Sequence, residues 1–312
     1  MRFSFLGLGN MGAPLARNIL LAGEQLTVFT RRPECAAAFA AEGAAVATSI
    51  QELADCDVLC TCLPLPGHVR EAADGAGGAG TGLYADMRPG SIHLEFSTID
   101  PATAKGLAAA AAERGIAYVQ ATVGKTPQMA AQREEPLFVG GERAAVRRLW
   151  PLLEKIGKPH DVESVDAACA VKLLSNMIGM ANLAVLAEGL RIGTAAGMKL
   201  ESLLPLLQDT GARSFQMDVR GPWMAASDFS PRFAVDLATK DLRLGCAMAR
   251  DFGCEARLTE DALGVFKKAQ AEGLGGEDAC AVYKADDNAG HGARHKKVAV
   301  FDGEFWHWEQ GG

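Results

Sequence analysis

The chain has 312 residues, 49% of them hydrophobic and 22% charged, enough to bury a core in one large or two ordinary domains and too apolar for a disordered polypeptide. Its net charge of -7 and pI near 5.5 argue against a general nucleic-acid or anionic-membrane surface, although local basic sites can still take small anions. The eight cysteines are scattered, with neither a CxxC pair nor a His cluster, which points to reduced, buried thiols and to no metal site.

No charged-then-apolar leader precedes the first strand, so a cytoplasmic protein is expected. The longest uncharged apolar stretch, Leu173 to Ala187, is shorter than the ~20 residues of a membrane span and suits a buried helix.

Phe3 to Leu6 forms a short apolar strand that breaks into Gly7-Leu8-Gly9-Asn10-Met11-Gly12 and resumes, with Leu15 and Ile19 at helical spacing, as a helix. Strand, glycine turn and helix in that order mark a dinucleotide site. Gly7 permits the tight turn, Gly9 the approach of a pyrophosphate and Gly12 close helix packing, with the helix N-terminus facing the anion. Gln25 to Thr30 is a second strand, ending in Thr30-Arg31-Arg32 where an NAD site would place an acidic residue. Two guanidiniums suit a 2′-phosphate, which favours NADP over NAD; they can also be solvated loop charges.

Pro33 to Gly43 is an alanine-rich helix and Ala45 to Thr48 a short strand, and Ser49 with Glu52 has the spacing of a capping box opening another helix. Asp57 to Leu63 is a near-continuous apolar strand, as in a parallel sheet covered on both faces. Its carboxyl end, Leu63-Pro64, is a candidate neighbour of the cofactor. Gly75 to Gly82 is a glycine-rich surface loop. Ser91 to Phe96 forms the next strand, after which the Ser97 and Thr98 hydroxyls can serve as ligands or as caps of the helix Ala102 to Arg114. Ile116 to Ala121 is a strand, Val123 to Pro127 a loop, Leu137 to Val139 apolar ahead of two glycines, and Arg143 to Glu154 a helix.

This alternation through about residue 160 is the pattern of an α/β, doubly wound parallel sheet. From Val165 to Phe266 helical periodicity takes over, so residues 1–163 form the nucleotide-binding domain and 164–285 an all-helical domain whose central helix runs from Ala167 to Gly197. Lys172 and Asn176 lie four apart on that helix and share a face among apolar neighbours. An inward lysine ammonium suits proton exchange with a carbonyl or hydroxyl oxygen, whereas an outward one would merely snorkel to solvent. Lys240-Asp241 is a second polar pair in an apolar helix, readable as a structural ion pair.

Gly7-Leu8-Gly9-Asn10-Met11-Gly12, Phe96-Ser97-Thr98-Ile99-Asp100-Pro101, Val171 to Asn176 and Lys240-Asp241-Leu242 together resemble the β-hydroxyacid dehydrogenase family, over residues 1 to about 285. The resemblance implies an N-terminal Rossmann domain, a helical C-terminal domain, an active site between them, and a homodimer or homotetramer built largely through the helices. It implies NADP or NAD as cofactor and a small anionic substrate. It also assigns Lys172 as the catalytic lysine, Asn176 as the substrate-orienting asparagine, Ser97 and Thr98 to a loop near nicotinamide and substrate, and Lys240 to the cofactor side.

The substrate loop departs from the family's usual Asp-Ala-Pro-Val-Ser-Gly-Gly, reading Gln120-Ala121-Thr122-Val123-Gly124-Lys125-Thr126. Gly124-Lys125-Thr126 is similar to the Gly-Arg-Thr loop of sulfolactaldehyde reductases, and can hold a sulfonate, a phosphate or a second carboxylate; Lys125 can equally point to solvent. Imine reductases share the implied architecture but generally lack a lysine at the position of Lys172. A catalytically silent nucleotide-binding protein is the other rival, disfavoured by the acidic chain and the Lys172-Asn176 pair. Residues 286–312 form a tail beyond the resemblance, readable as a cover on a partner subunit or as disorder.

Overall fold

The computed structural model describes residues 1–78, 80–285, 297–301 and 306–310. They divide into two compact units, residues 1–175 and 176–312.

The first unit is built on an eight-stranded sheet. Its strands are β1 (Arg2–Leu6), β2 (Gln25–Phe29), β3 (Ala45–Val46), β4 (Val58–Thr61), β5 (Ile92–Glu95), β6 (Ala117–Val123), β7 (Pro136–Gly141) and β8 (Lys158–Glu163), in the order β3-β2-β1-β4-β5-β6-β7-β8. Helices α1 (Gly12–Leu21), α2 (Pro33–Ala41), α3 (Pro66–Asp74), α4 (Pro101–Ala112), α5 (Pro127–Ala131) and α6 (Arg143–Ile156) connect them. Apolar residues of β1, β4 and β5 are buried on both sides: Phe3, Phe5, Cys60 and Leu94 pack in one cluster with Leu15, Ile19 and Leu149, and Leu6 and Leu59 in another with Leu53, Val69 and Leu107.

Strand order reverses between β1 and β4, which pair in parallel with Leu6 opposite Thr61. The turns leaving these two strands therefore emerge side by side, at the switch point where open α/β sheets bind ligands.

The sheet is parallel as far as β6, but β7 runs antiparallel to it, Val119 facing Gly141, and β8 runs parallel to β7. The link from β6 to β7 carries one short helix, the five-residue α5, and returns the chain beside the end of β6, where the Gly124 N–H meets the Pro136 carbonyl at 2.9 Å. Strand β8, whose polar Lys-Pro-His-Asp-Val-Glu gives no apolar signal, is an exposed edge that tolerates Pro159.

The expected capping box at Ser49 and Glu52 is a single 3₁₀ turn, Gln51–Ala54. Glu52 instead takes the backbone N–H of Thr48 at 3.0 Å and the Thr48 hydroxyl, with the Ser49 hydroxyl at 3.4 Å. Asp55 leaves the helical region immediately after, so the turn does not propagate.

A single helix, α7 (Val165–Ala195), runs on from the first unit into the second. At 31 residues it is long and apolar enough to cross a membrane by length and composition, longer than the stretch 173–187 suggests. Its Ala168, Cys169, Leu173, Leu183, Ala187 and Leu190 are buried in protein instead.

The second unit adds α8 (Leu200–Gln208), α9 (Phe215–Ala225), α10 (Val235–Asp251) and α11 (Arg257–Ala271), packed around Leu183, Leu190, Leu242 and Phe266. Among the described residues from 165 to 285 there is no strand. Gly245 lets α10 approach α7, since a Cβ there would strike the Met177 side chain. Asp278 accepts from Arg220 Nε at 3.0 Å, Phe233 N at 2.9 Å and Cys280 N at 3.1 Å, tying α9 to the last 3₁₀ turn, Ala279–Tyr283. In the tail, Lys297–Phe301 and Trp306–Gln310 pair as an antiparallel hairpin, while residues 286–296, 302–305 and 311–312 lie outside the described residues.

Candidate active site

The turn after β1 is shaped by contacts that exclude a side chain at two of its three glycines. Gly7 has φ +104°, and a Cβ there would drive into the Cys62 carbonyl beyond β4; a Cβ on Gly12 would collide with the Gly7 carbonyl. A Cβ on Gly9 would meet open space. That is the cradle a pyrophosphate needs: a backbone that can be approached, ahead of α1, whose first turn carries no acidic side chain. Asn10 is exposed and Met11 precedes the helix as its N-cap residue.

Arg32 folds back onto this turn, its guanidinium donating to the Leu8 carbonyl, and its backbone N–H donates to the Thr30 hydroxyl at 3.2 Å. Arg31 is exposed beside it. The cations that follow β2 thus stand at the rim of the glycine turn, where the far end of a dinucleotide would lie.

On the other side of the switch point, the Leu63 N–H donates to the Ser97 hydroxyl at 2.7 Å, joining the turn after β4 to that after β5. Pro64 is exposed next to it. Ser97 and Thr98 do not cap the following helix. Asp100 does, accepting the Thr103 N–H at 2.8 Å. The Ser97 oxygen accepts from Leu63, which leaves its proton and a second lone pair for a ligand.

Gly124 closes β6 by donating its N–H to the Pro136 carbonyl at 2.9 Å, and a Cβ there would press on the Pro136 ring at 2.6 Å. Lys125 is exposed with a left-handed φ of +59°. The Thr126 hydroxyl caps α5 by accepting from Met129 N–H at 3.4 Å. Just beyond, Glu135 is fully buried and its carboxylate oxygens have no hydrogen-bond partner among the described residues. Burial pushes this carboxyl up to about 7, against the pull of Lys125 and Lys158.

Lys172 is only 9% exposed. Its turn of α7 is anchored from the sheet: the Thr122 hydroxyl donates at 2.8 Å to the carbonyl of Ala168, one turn earlier. Gly140 makes room for the start of the helix, since a Cβ there would enter the Ser164 backbone. In the second unit, buried Asp241 gathers two further polar side chains. It accepts from Asn176 Nδ2 at 2.5 Å and pairs with Lys240 Nζ at 2.6 Å. The two polar positions on α7 and α10 that the sequence picks out are thus coupled through a carboxylate it treats only as a salt-bridge partner.

Beneath the Ser97 turn lies a buried polar cluster that sequence reasoning passed over: Thr61, His93, Glu95, Gln120 and Tyr118. A signal was present, since His93 and Glu95 alternate within an otherwise apolar central strand. Among the described residues, no group of three or more His, Cys, Asp or Glu is placed to hold a metal ion.

A glycine turn at the strand-order reversal, with room for a pyrophosphate and cations at its rim, defines a Rossmann-type dinucleotide-binding enzyme fold, to which a helical unit is joined. Comparison with known proteins sharpens this. Residues 2–173 match the family model described as the NAD binding domain of 6-phosphogluconate dehydrogenase, and residues 167–285 that described as NAD-binding of NADP-dependent 3-hydroxyisobutyrate dehydrogenase. The chain is 32% identical over 287 residues to 2-(hydroxymethyl)glutarate dehydrogenase of Eubacterium barkeri, covering 91% of this chain and 94% of that protein. It is 30% identical over 295 residues to the NAD-dependent L-serine dehydrogenase of Pseudomonas aeruginosa, covering 92% and 98%. The crystal structure of 3-hydroxyisobutyrate dehydrogenase from Salmonella typhimurium is similar with a TM-score of 0.84 and 29% identity, covering 91% of this chain and 99% of that one. The chain belongs to the β-hydroxyacid dehydrogenase family. It is an NAD(P)-dependent oxidoreductase of the 3-hydroxyisobutyrate dehydrogenase type, acting on hydroxyl groups.

Proposed function

We propose that this enzyme prefers NADP and interconverts a small β-hydroxyacid and its semialdehyde, with Lys172 as the proton donor and acceptor. The observation that carries the reading is the burial of Lys172 on a helical turn held to the sheet by Thr122. The named substrates of the similar enzymes support it: 2-(hydroxymethyl)glutarate, L-serine and 3-hydroxyisobutyrate each carry a primary alcohol one carbon from the carbon bearing the carboxylate. Arg32 at the glycine turn and its neighbour Arg31 support the NADP preference, because guanidinium forks match a 2′-phosphate.

When bound, the nicotinamide supplies or accepts the hydride. In the reducing direction Lys172 Nζ gives a proton to the carbonyl oxygen, and in the oxidising direction it takes one from the hydroxyl. Asn176, held by Asp241, orients that oxygen, and Lys240, held by the same carboxylate, serves the cofactor side. Ser97 and Thr98, with Gly124, Lys125 and Thr126, take the acid end of the substrate. Lys125 in that loop favours a second reading of the acid group, a sulfonate in place of a carboxylate.

An exposed apolar stripe on α7, Leu174, Ile178, Val185 and Ile192, supports self-association into a homodimer or homotetramer. The eight free cysteines support a cytoplasmic location.

The test is NADPH and NADH oxidation with succinic, methylmalonate and tartronate semialdehydes and sulfolactaldehyde. Turnover that Lys172→Ala abolishes while cofactor binding persists is expected; a variant keeping most of its rate would remove Lys172 from the mechanism. Preference for the sulfonate, lost in Lys125→Gly, would select the sulfonate reading.

A further inference from the structure

We propose that Glu95 is a positioning residue that holds the Ser97 backbone, and with it the Ser97 hydroxyl, and that the same carboxylate sets the hydrogen-bond direction of a buried chain through Thr61, His93 and Tyr84. The proposal rests on Ser97 being a substrate ligand.

The chain of contacts is continuous. Glu95 Oε1 accepts the Ser97 backbone N–H at 2.5 Å, and its other oxygen accepts from the Thr61 hydroxyl. Thr61 Oγ1 lies 2.7 Å from His93 Nε2, and His93 Nδ1 lies 2.6 Å from the Tyr84 hydroxyl. From the other side Tyr118 donates to Gln120 Oε1 at 2.8 Å, and Gln120 Nε2 donates to the carbonyls of Glu95 and Ser97 at 3.1 Å each. Both backbone polar groups of Ser97 are therefore held, and its side-chain oxygen is held by Leu63.

Donor and acceptor roles along this chain follow from its end. A backbone N–H can only donate, so Glu95 must accept at Oε1. Thr61 spends its single proton on the other carboxylate oxygen, so its oxygen must accept from His93. This places the ring proton on Nε2 and leaves Nδ1 of the neutral ring to accept from Tyr84 O–H. Both His93 and Glu95 are fully buried, where a mismatched pair would leave an unsatisfied group, so the directions are coupled from Tyr84 to Glu95. Edge-on packing of the His93 ring against Tyr84 and Tyr118, at 5.5 and 5.2 Å between centroids, keeps the ring from turning.

Glu95→Gln tests the relay with almost no change of shape. The amide oxygen must face the Ser97 N–H, so the amide nitrogen faces Thr61. Thr61 then turns its proton to His93 Nε2, and the ring proton moves to Nδ1. With ¹⁵N-labelled histidine and His93 assigned by its loss in His93→Gln, the wild type should show the Nε2–H tautomer and Glu95→Gln the Nδ1–H tautomer. The Ser97 N–H then meets an amide oxygen in place of a carboxylate oxygen, a weaker acceptor, and the KM for the semialdehyde should rise severalfold, with kcat changed much less. An unchanged tautomer in Glu95→Gln overturns the relay. So does an unchanged KM where Ser97→Ala raises it. If Ser97→Ala leaves KM unchanged as well, the assignment of Ser97 to the substrate fails, and the tautomer alone judges the relay. Should Glu95→Gln not fold by circular dichroism, the wild type decides alone, and an Nδ1–H tautomer of His93 there would overturn the proposal.

Discussion

Glu135→Gln should stabilise the protein above neutral pH and leave it unchanged in acid. Glu135 is fully buried at the start of β7, both carboxylate oxygens lack a hydrogen-bond partner among the described residues, and burial pushes the group from its ordinary 4.5 up to about 7. The fold therefore favours the neutral acid. Well below pH 4.5 the carboxyl is neutral in folded and unfolded chains alike, and there is no penalty. Between 4.5 and about 7 the unfolded chain loses its proton while the folded chain keeps it, so stability falls as pH rises; above 7 the loss is complete. At about 1.4 kcal/mol per pH unit the full loss is about 3 kcal/mol. Glutamine keeps the shape and never ionises. For a unit of this size the variant should unfold roughly 6–12 °C higher than wild type at pH 8, with the two coinciding at pH 4.5. Thermal unfolding of both proteins from pH 4.5 to 9 is the assay. Curves that stay parallel across that range would show that Glu135 ionises in the fold as it does in water, and would refute the argument from burial.

Asp241→Asn should leave Lys240 buried without its counter-charge and loosen Asn176; a fall in kcat/KM of about 10- to 100-fold is expected from loss of a charge-assisted hydrogen bond, and steady-state kinetics giving a value within twofold of wild type would contradict it. Replacing Arg31 and Arg32 together by Ala should raise KM for NADPH by a similar factor while NADH is nearly unaffected, and equal losses for both cofactors would show that the arginines serve only the shape of the turn. Asp278→Ala should destabilise the helical unit by about 3–5 kcal/mol, because it strands the buried Arg220 guanidinium and two or more backbone N–H groups, which urea unfolding would register.

Much of the candidate site's framework was legible along the chain because its parts are local. The strand, glycine turn and helix of residues 3–20 follow from spacing, with Gly12 set against the Gly7 carbonyl, Gly7 against the Cys62 carbonyl at the adjoining strand end, and Gly9 facing open space. Lys172 and Asn176 share a helix face by periodicity, and α7 forms where the pattern places it. The helical character of residues 165–285 follows from the same signal.

What local pattern could not decide is which polar groups meet across the fold. The direction of β7 depends on where the link after β6 returns the chain, which is beside the end of that strand, and the edge strand β8 has no apolar alternation to announce it. The cap on α4 goes to Asp100, leaving Ser97 to Leu63 and Glu95, because the turn geometry favours the residue next to Pro101. Asp241 binds Asn176 across 65 positions, and Gln120 reaches the Ser97 turn from a neighbouring strand. Sequence determines which residues can turn, cap or ionise, since those are properties of a few adjacent bonds. Only tertiary structure settles which buried donor meets which acceptor, because that depends on strands and helices brought together from distant parts of the chain, and in a dry interior it is those meetings that set charge and proton position.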